Sequence, residues 1–279
     1  TLEAIQNPDS SWFYITKQKD LTKIPGSPIG YWVNKEVIEI LDKNRSLGEF
    51  ADAKQGLATA YNERFLRLWQ EIEFSNSSIV ERENRSHIKW IPYNKAGSYR
   101  KWYGNQTHCI NWEKSGDEIK NFTNLKGKQL SVIRNPNYYF KEAISWSDVT
   151  SSKNAFRYYD EGFIHDACAH SAFGMDKKWK FCMMAFCNLK LATELAQVLN
   201  PTLHFHIGYF NKFPYIEKFY NEQVYDLSKE SVQISKKEWN SREISWNFGK
   251  NQLIKKISEE LEESYDLYKE YWKNKFFTL

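Results

Sequence analysis

The sequence contains few cysteines and no long apolar run. Its four cysteines among 279 residues show no paired spacing of the kind that marks a zinc or redox motif. Cys182 and Cys187 lie in an apolar stretch, where we expect them to pack as small core residues. No stretch reaches the length of a membrane span and no signal peptide begins the chain. We therefore predict a cytoplasmic protein with reduced thiols and no membrane partner.

The sequence also lacks a strong excess of charge of either sign. Its 39 Lys and Arg residues against 35 Asp and Glu give a net charge of +4, too small to identify a nucleic-acid partner by itself. The distribution is more informative, because residues 81–157 contain 14 basic and 7 acidic residues, whereas residues 228–279 contain 10 and 9. The positive charge is concentrated in the middle of the chain, where we expect a DNA-facing surface.

Residues 90–113, here called the aromatic–basic block, interleave Trp and Tyr side chains with Lys95, Arg100 and Lys101. Aromatic rings stack on bases or sugars and cations neutralise phosphates, so the pattern is typical of nucleic-acid binding. The alternative is an edge strand whose aromatic residues pack in a core and whose cations are solvated. Composition alone favours neither interpretation.

The order of residues within the block adds to its composition. PYNKAGSYRKWYGN followed by NWE closely resembles the PYNKGG-x-x-RKWYGN…NWE signature of PglX-type DNA methyltransferases, the adenine-modifying enzymes of BREX phage-defence systems. That family has relatives among type II restriction–modification enzymes. Other segments resemble it in the same order: IPGSPIGYWV, QGLATAYNERFLRLW, ISWSDVTSSKNAFRY, GFIHDA, LNPTL and EWNSREISWNF. They correspond to the part of the family that follows its catalytic domain.

The resemblance implies a target-recognition domain, which reads double-stranded DNA while a separate N-terminal methyltransferase domain flips and modifies adenine. S-adenosylmethionine is then expected in the parent protein and not in this chain. The expected partners are double-stranded DNA and the protein's own methyltransferase domain. Because the first residue is Thr1 rather than Met, we expect the chain to be part of a longer protein.

Candidate DNA contacts form two groups, one around the turn at Gly97 and one on a predicted loop between strands. Arginine offers guanine a bidentate contact, and serine or asparagine can bind a phosphate or a base edge. Trp102 and Tyr103 are candidates for stacking, with burial an equal alternative for Trp102. The predicted DNA-binding residues are Asn94, Lys95, Arg100, Lys101, Trp102, Tyr103, Ser151, Ser152, Lys153 and Arg157.

Catalytic motifs are missing from the sequence. An adenine-N6 methyltransferase needs a glycine-bearing turn for its cofactor and an (Asp/Asn)-Pro-Pro-(Tyr/Phe) motif that holds the flipped base. The nearest match is Asn135-Pro136-Asn137-Tyr138, which lacks the second proline and follows no strand with a glycine-rich turn. We interpret it as a turn and predict no catalytic residue and no cofactor site. Whether this chain alone has enzymatic activity is left open.

Two histidine-containing segments are weak metal motifs. In residues 165–170, a strand would place Asp166, Cys168 and His170 on one face, as in a three-ligand zinc site. The resembled family has GF-x-FD here, with an aromatic residue where His165 stands. His204-x-His206 is equally compatible with packing or with DNA contact. We therefore predict no metal site.

The pattern of apolar residues predicts an α+β fold, with a mixed or antiparallel β-core flanked by helices and a long C-terminal amphipathic helix. Residues 1–47 are predicted to form lead-in strands and a helix capped by Asn34, residues 48–240 the DNA target-recognition domain, and residues 241–279 a C-terminal helical segment. Within the second part we expect helices at 62–69, 179–199 and 214–224 and a strand at 203–210.

Two functions of different classes follow. The leading hypothesis is sequence-specific DNA recognition, as the target-recognition part of an adenine-N6 DNA methyltransferase or a fused restriction–modification enzyme. The alternative is a protein-interaction or assembly module that binds other subunits of a phage-defence complex. Phosphate contacts would make DNA binding steeply salt-dependent, which separates the two.

Overall fold

The fold is α+β, as the sequence predicts, and the described strands form two four-stranded sheets. The computed structural model describes residues 2, 6–7, 9–10, 13–79, 88–149, 153–200, 202–255 and 258–277. The candidates Ser151 and Ser152 lie outside these residues. The strands are β1 (Asp52–Lys54), β2 (Leu66–Leu68), β3 (Trp90–Asn94), β4 (His108–Asn111), β5 (Ala143–Ser147), β6 (Arg157–Tyr159), β7 (Ile164–His165) and β8 (Ala169–Phe173).

The first sheet has the strand order β1-β8-β5-β6, and all its pairs are antiparallel. The second has the order β2-β4-β3-β7, with β3 and β7 parallel and the other pairs antiparallel. β7 and β8 are consecutive in the chain but belong to different sheets, so the short connection between them holds the two sheets side by side.

The longer helices are α1 (Lys35–Lys43), α2 (Glu113–Lys120), α3 (Lys177–Cys187), α4 (Lys190–Leu199), α5 (Glu222–Trp239) and α6 (Leu261–Phe277). Shorter helices are Gln18–Leu21, Asn62–Phe65 and Ile207–Asn211, and the 3-10 turns are Leu47–Glu49, Trp69–Glu71, Phe74–Asn76, Pro136–Tyr138, Glu217–Phe219 and Leu253–Lys255. Asn34 caps α1 as predicted, because its side chain accepts a hydrogen bond of 3.0 Å from the Val37 N–H. Among the described helices, none has the length and hydropathy needed to cross a bilayer.

The larger core lies between the first sheet and the helices. Trp146 of β5 is fully buried at its centre, stacked on Phe210 at 4.6 Å between ring centroids. Its indole N–H donates to the carbonyl of Phe205 at 2.9 Å, so the one polar group of this ring is satisfied. A smaller core cluster, which includes Phe65 and Tyr93, lies against the second sheet.

The helix predicted at 179–199 is two helices, α3 and α4, separated at Asn188. The Asn188 side chain accepts a hydrogen bond from the Phe156 N–H and donates one to the Phe156 carbonyl, both at 3.0 Å. It therefore binds the backbone before β6 as a neighbouring strand would. This position fixes the end of α3, and apolar periodicity gives no sign of the break.

Three other local predictions were wrong. The strand predicted at 203–210 is one bridge, His204 to Val149, followed by the helix Ile207–Asn211. The helix predicted at 62–69 ends at Phe65, because the next residues pair with β4 as β2. Residues 13–33 contain turns and one helical turn but no strand, in keeping with prolines that cannot donate to a ladder.

The long helix α5 was not predicted. The sequence analysis placed a helix at 214–224, whereas α5 begins at Glu222, where Asn221 accepts a hydrogen bond of 3.0 Å from the Val224 N–H. Its buried residues include several serines, which weaken the apolar stripe that the sequence pattern would otherwise show. Ser228 lies in the interface with α3 and donates to the carbonyl of Phe181 at 2.8 Å.

Candidate nucleic-acid interface

The central part of the aromatic–basic block, residues 95–107, forms a loop between β3 and β4 that we call the RKWY loop. Although it leaves the second sheet, it pairs with the edge of the first: the Trp102 N–H donates to Phe156 O at 2.9 Å, and the Tyr158 N–H donates to Trp102 O at 2.8 Å. Trp102 itself has a φ of 71° and is partly buried against the larger core. The loop therefore joins the two sheets.

Arg100 is held inside this arrangement. Its Nε donates to the carbonyl of Tyr103 at 2.6 Å, and its guanidinium pairs with the Glu238 carboxylate and lies 5.1 Å from the ring centroid of Trp239. The side chains of Arg100 and Glu238 are only 17% and 15% exposed. Arg100 thus fastens the RKWY loop to α5, and a DNA contact would require this pair to open.

The two lysines of the loop also have partners within the chain. Lys101 Nζ donates to the carbonyl of Asn188 at 2.6 Å, and burial, together with the nearby charge of Lys153, lowers the pKa of Lys101. Lys95 pairs with Asp166 at 3.2 Å between Nζ and Oδ2. Both cations stabilise connections between elements of the fold.

Three further candidates are buried. Asn94 is fully enclosed, and its amide donates to Ser145 Oγ at 2.7 Å. The guanidinium of Arg157 donates to the carbonyl of Arg100 at 3.1 Å. The side chain of Tyr103 is buried, and this burial raises the pKa of its hydroxyl. Of the predicted DNA-binding residues that the structure describes, Lys153 alone is classed as exposed. The placement of the others fits the packing alternative for this block.

An open groove of about 560 Å³ separates the outer face of the RKWY loop from α5 and α6. Its walls combine cations with aromatic rings, as does the sequence of the aromatic–basic block. The lining residues are Tyr99, Arg100, Lys101, Trp102, Ser235, Glu238, Arg242, Tyr268, Lys269, Trp272 and Phe276.

A second groove, which we call the basic groove, lies between α5, the segment that follows it and α6, and has a volume of about 480 Å³. Four lysines line it, and among its described lining residues none is acidic. The lining residues are Gln233, Lys236, Lys237, Asn240, Asn247, Gly249, Lys250, Gln252, Lys255 and Tyr271. The sequence analysis missed these lysines, because the acidic residues near the start of α6 cancel their charge in a regional count.

Residues 135–138 and 166–170, the weak catalytic and metal motifs of the sequence, form hydrogen bonds and ion pairs with other parts of the fold. Residues 136–138 form a 3-10 turn after Asn135, which adopts a φ of 49° and donates from its amide to the Gln55 carbonyl at 2.9 Å. Asp166, Cys168 and His170, which a continuous strand would place on one face, are not grouped as metal ligands among the described residues. Asp166 pairs with Lys95 and accepts from the Cys168 N–H at 2.6 Å, while His170 lies in β8. Burial lowers the pKa of the His170 imidazole.

No family model matches this chain. It is 36% identical over 266 residues to the adenine-specific methyltransferase PglX of Lacticaseibacillus casei (strain Zhang), over 92% of this chain and 22% of that protein. It is also 36% identical over 245 residues to the adenine-specific methyltransferase BrxX of Escherichia coli O9:H4 (strain HS), over 87% of this chain and 19% of that protein. The chain is therefore similar to one region of these methyltransferases and spans about a fifth of their length.

Proposed function

We propose that this chain is the DNA target-recognition region of an adenine-N6 DNA methyltransferase of the PglX type, which acts in BREX phage defence. In this proposal it binds double-stranded DNA, while a methyltransferase domain outside this chain carries S-adenosylmethionine and the chemistry. Two observations support it: the similarity covers a small region of each relative, and the sequence lacks the motifs for cofactor and flipped adenine.

The observation that carries the proposal is the basic groove. Lys236 and Lys237 project from α5, and Lys250 and Lys255 lie on the segment after it, so cations from two parts of the chain line one concave surface. Lysine ammonium groups neutralise phosphates and release counterions, which provides sequence-independent affinity. The asparagine and glutamine side chains of the same groove can donate to and accept from base edges, which provides a means of reading sequence.

The RKWY loop has a supporting part in this proposal. Lys236 lies 5.0 Å from the ring centroid of Tyr103 and pairs with Asp160 at 3.0 Å. Through the Tyr103 contact and the Arg100–Glu238 pair, the loop holds α5 in place, and the Asp160 pair connects α5 to the end of β6. The residues that resemble the family signature would then position α5, with Lys236 as part of that joint, and Lys237, Lys250 and Lys255 would contact DNA.

Duplex binding measured by fluorescence anisotropy over a range of salt concentrations tests the proposal. Replacing Lys250 and Lys255 with alanine should weaken binding and reduce the log–log salt slope by about 1–2 units, roughly one for each lost phosphate contact. The matched control replaces Lys35 and Lys43 of α1, which do not line the groove, and should leave the slope unchanged. An unchanged slope in the groove variant would contradict the proposal.

A second candidate function, an assembly module, is favoured by α6. This helix exposes several large apolar side chains: Leu261, Tyr265, Leu267, Phe276 and Phe277. They could pack against the methyltransferase domain or another defence subunit. Salt-insensitive capture of such a domain, without any duplex binding at low salt, would favour this candidate. In either case we expect calorimetry to detect no binding of S-adenosylmethionine to this chain.

A further inference from the structure

Three histidines surround Asp148, which directly follows β5. Its Oδ1 lies 3.3 Å from His170 Nε2 and 3.0 Å from His206 Nδ1, and its Oδ2 lies 3.2 Å from His204 Nδ1. The possible ligand atoms of Asp148, His170 and His206 all lie within 4.8 Å of one another. Three groups that each bind metals thus converge from β5, β8 and the segment before the helix Ile207–Asn211.

Backbone hydrogen bonds hold these groups in place. The Asp148 N–H donates to Cys168 O at 2.9 Å, and the Phe205 N–H donates to Asp148 O at 2.7 Å. His170 of β8 is paired with Trp146 of β5. Phe205, which separates His204 from His206 in the sequence, has its side chain buried in the core. The cluster is therefore built on a rigid framework, as a binding site requires.

Three polar atoms of the cluster have no hydrogen-bond partner among the described residues. His170 is fully buried, and neither of its ring nitrogens has a hydrogen-bond partner among the described residues. Asp148 Oδ1 has none either, although two imidazole nitrogens lie within 3.3 Å of it. Buried polar groups without partners are costly, and a shared cation would satisfy His170 Nε2 and Asp148 Oδ1 together.

We propose that Asp148, His170 and His206 bind a divalent transition-metal ion of the zinc class. Imidazole nitrogen and carboxylate oxygen are ordinary zinc ligands, and tetrahedral ligands about 2.0–2.1 Å from Zn²⁺ lie roughly 3.3 Å apart, close to the two separations between Asp148 Oδ1 and the imidazole nitrogens. His204 hydrogen-bonds the second carboxylate oxygen and orients it, as residues around metal ligands commonly do. His206 is about half exposed, so the fourth position opens to solvent.

The proposed metal site departs from the sequence analysis, which predicted none. The sequence analysis grouped His170 with Asp166 and Cys168 and treated His204-x-His206 separately. The antiparallel pairing of β5 with β8 and the Val149–His204 bridge bring His170 and the second histidine pair to Asp148. In the sequence these residues are spread over positions 148–206, and no motif spacing connects them.

The test is metal content and metal affinity of the whole chain, purified without chelators. Elemental analysis should find about one zinc ion per chain, and the chelator-treated protein should bind Co²⁺ with the visible absorption of a tetrahedral site. Asp148→Asn and His206→Gln should each lose this absorption and bind Zn²⁺ at least about 100-fold more weakly in competition with a chromophoric chelator. Circular dichroism should show that His206→Gln remains folded, because its side chain is half exposed.

The matched control is His108→Gln in β4, a histidine that bonds to Thr107 and lies outside the cluster. It should retain stoichiometric zinc and the Co²⁺ spectrum. Wild-type protein without saturable Zn²⁺ or Co²⁺ binding would overturn the proposal. Zinc affinity that is unchanged in both Asp148→Asn and His206→Gln would overturn it as well, because binding would then lie elsewhere.

Discussion

Arg100 and Glu238 are 138 residues apart in the sequence, and their side chains form an ion pair between the RKWY loop and α5. Glu238 also pairs with Arg242 one turn further along the chain. Since Arg100 additionally lies over Trp239, its side chain combines charge, hydrogen bonding and ring packing at one joint of the fold.

Arg100→Ala should lower the free energy of unfolding by roughly 1–3 kcal/mol, between the values for exposed and fully buried pairs, because it leaves Glu238 without its more buried partner. Urea denaturation measures this loss. The control is Arg242→Ala, which removes the other partner of Glu238; its side chain is 51% exposed, and the expected loss is below about 1 kcal/mol. Loss of DNA binding in Arg100→Ala with wild-type stability would instead restore Arg100 as a DNA contact.

Gly104 sits in the same joint, at a φ of +121°, where an added Cβ would lie 2.2 Å from Arg100 Nε and 2.9 Å from the Trp239 ring. Gly104→Ala should therefore combine backbone strain of about 1–3 kcal/mol with a steric cost of similar size. Gly162 has a φ of +99° but no atom within 4 Å of such a Cβ, so Gly162→Ala isolates the backbone cost. Thermal or urea unfolding measures the loss of stability in each variant. Equal losses would contradict the predicted steric cost at Gly104.

Local signals in the sequence predicted part of the fold. The capping residue Asn34 and the apolar face of α1 act over a few residues, so they could be recognised without knowing the rest of the structure. The break at Asn188 depends on the backbone of Phe156, 32 residues earlier, and therefore leaves no local trace. The α+β class was predictable because it depends on the sum of many such segments rather than on any one boundary.

The candidate site was less predictable for the same reason. Cations and aromatics in the aromatic–basic block have the composition of a DNA-binding surface, but Arg100 and Lys101 find acceptors on α5 and at Asn188, which are distant in sequence. The lysines of the basic groove lie in two separate segments, and their common surface exists only once the chain has turned after α5. Composition indicates which residues can bind an anion, whereas the tertiary structure decides which of them remain available.

His165 of β7 lies in the interior between the two sheets, and its Nδ1 is 3.0 Å from the Asn94 amide nitrogen and 2.9 Å from Ser171 Oγ. The amide nitrogen is a donor, so Nδ1 accepts, and a proton there would break this hydrogen bond. Burial lowers the pKa of His165 to about 4. The imidazole is therefore neutral in the folded protein over a range in which it is charged in the unfolded chain.

This difference predicts how stability depends on pH. Between the unfolded pKa of about 6.5 and the folded pKa of about 4, the unfolded state binds the extra proton, so the free energy of unfolding should fall as the pH falls through this window. The full difference corresponds to about 3 kcal/mol for this one group. Carboxylates also titrate in this pH window, so the test compares two proteins rather than one protein with itself. Urea unfolding is measured at several pH values for wild type and for His165→Phe. The substitution places an aromatic ring where the resembled family has one. His108→Gln in β4 serves as a comparison and not as a silent control, because burial lowers the pKa of His108 as well. The stability of His165→Phe relative to wild type should improve steadily from pH 7 to pH 4, and a constant difference between the two proteins would mean that His165 does not titrate on unfolding.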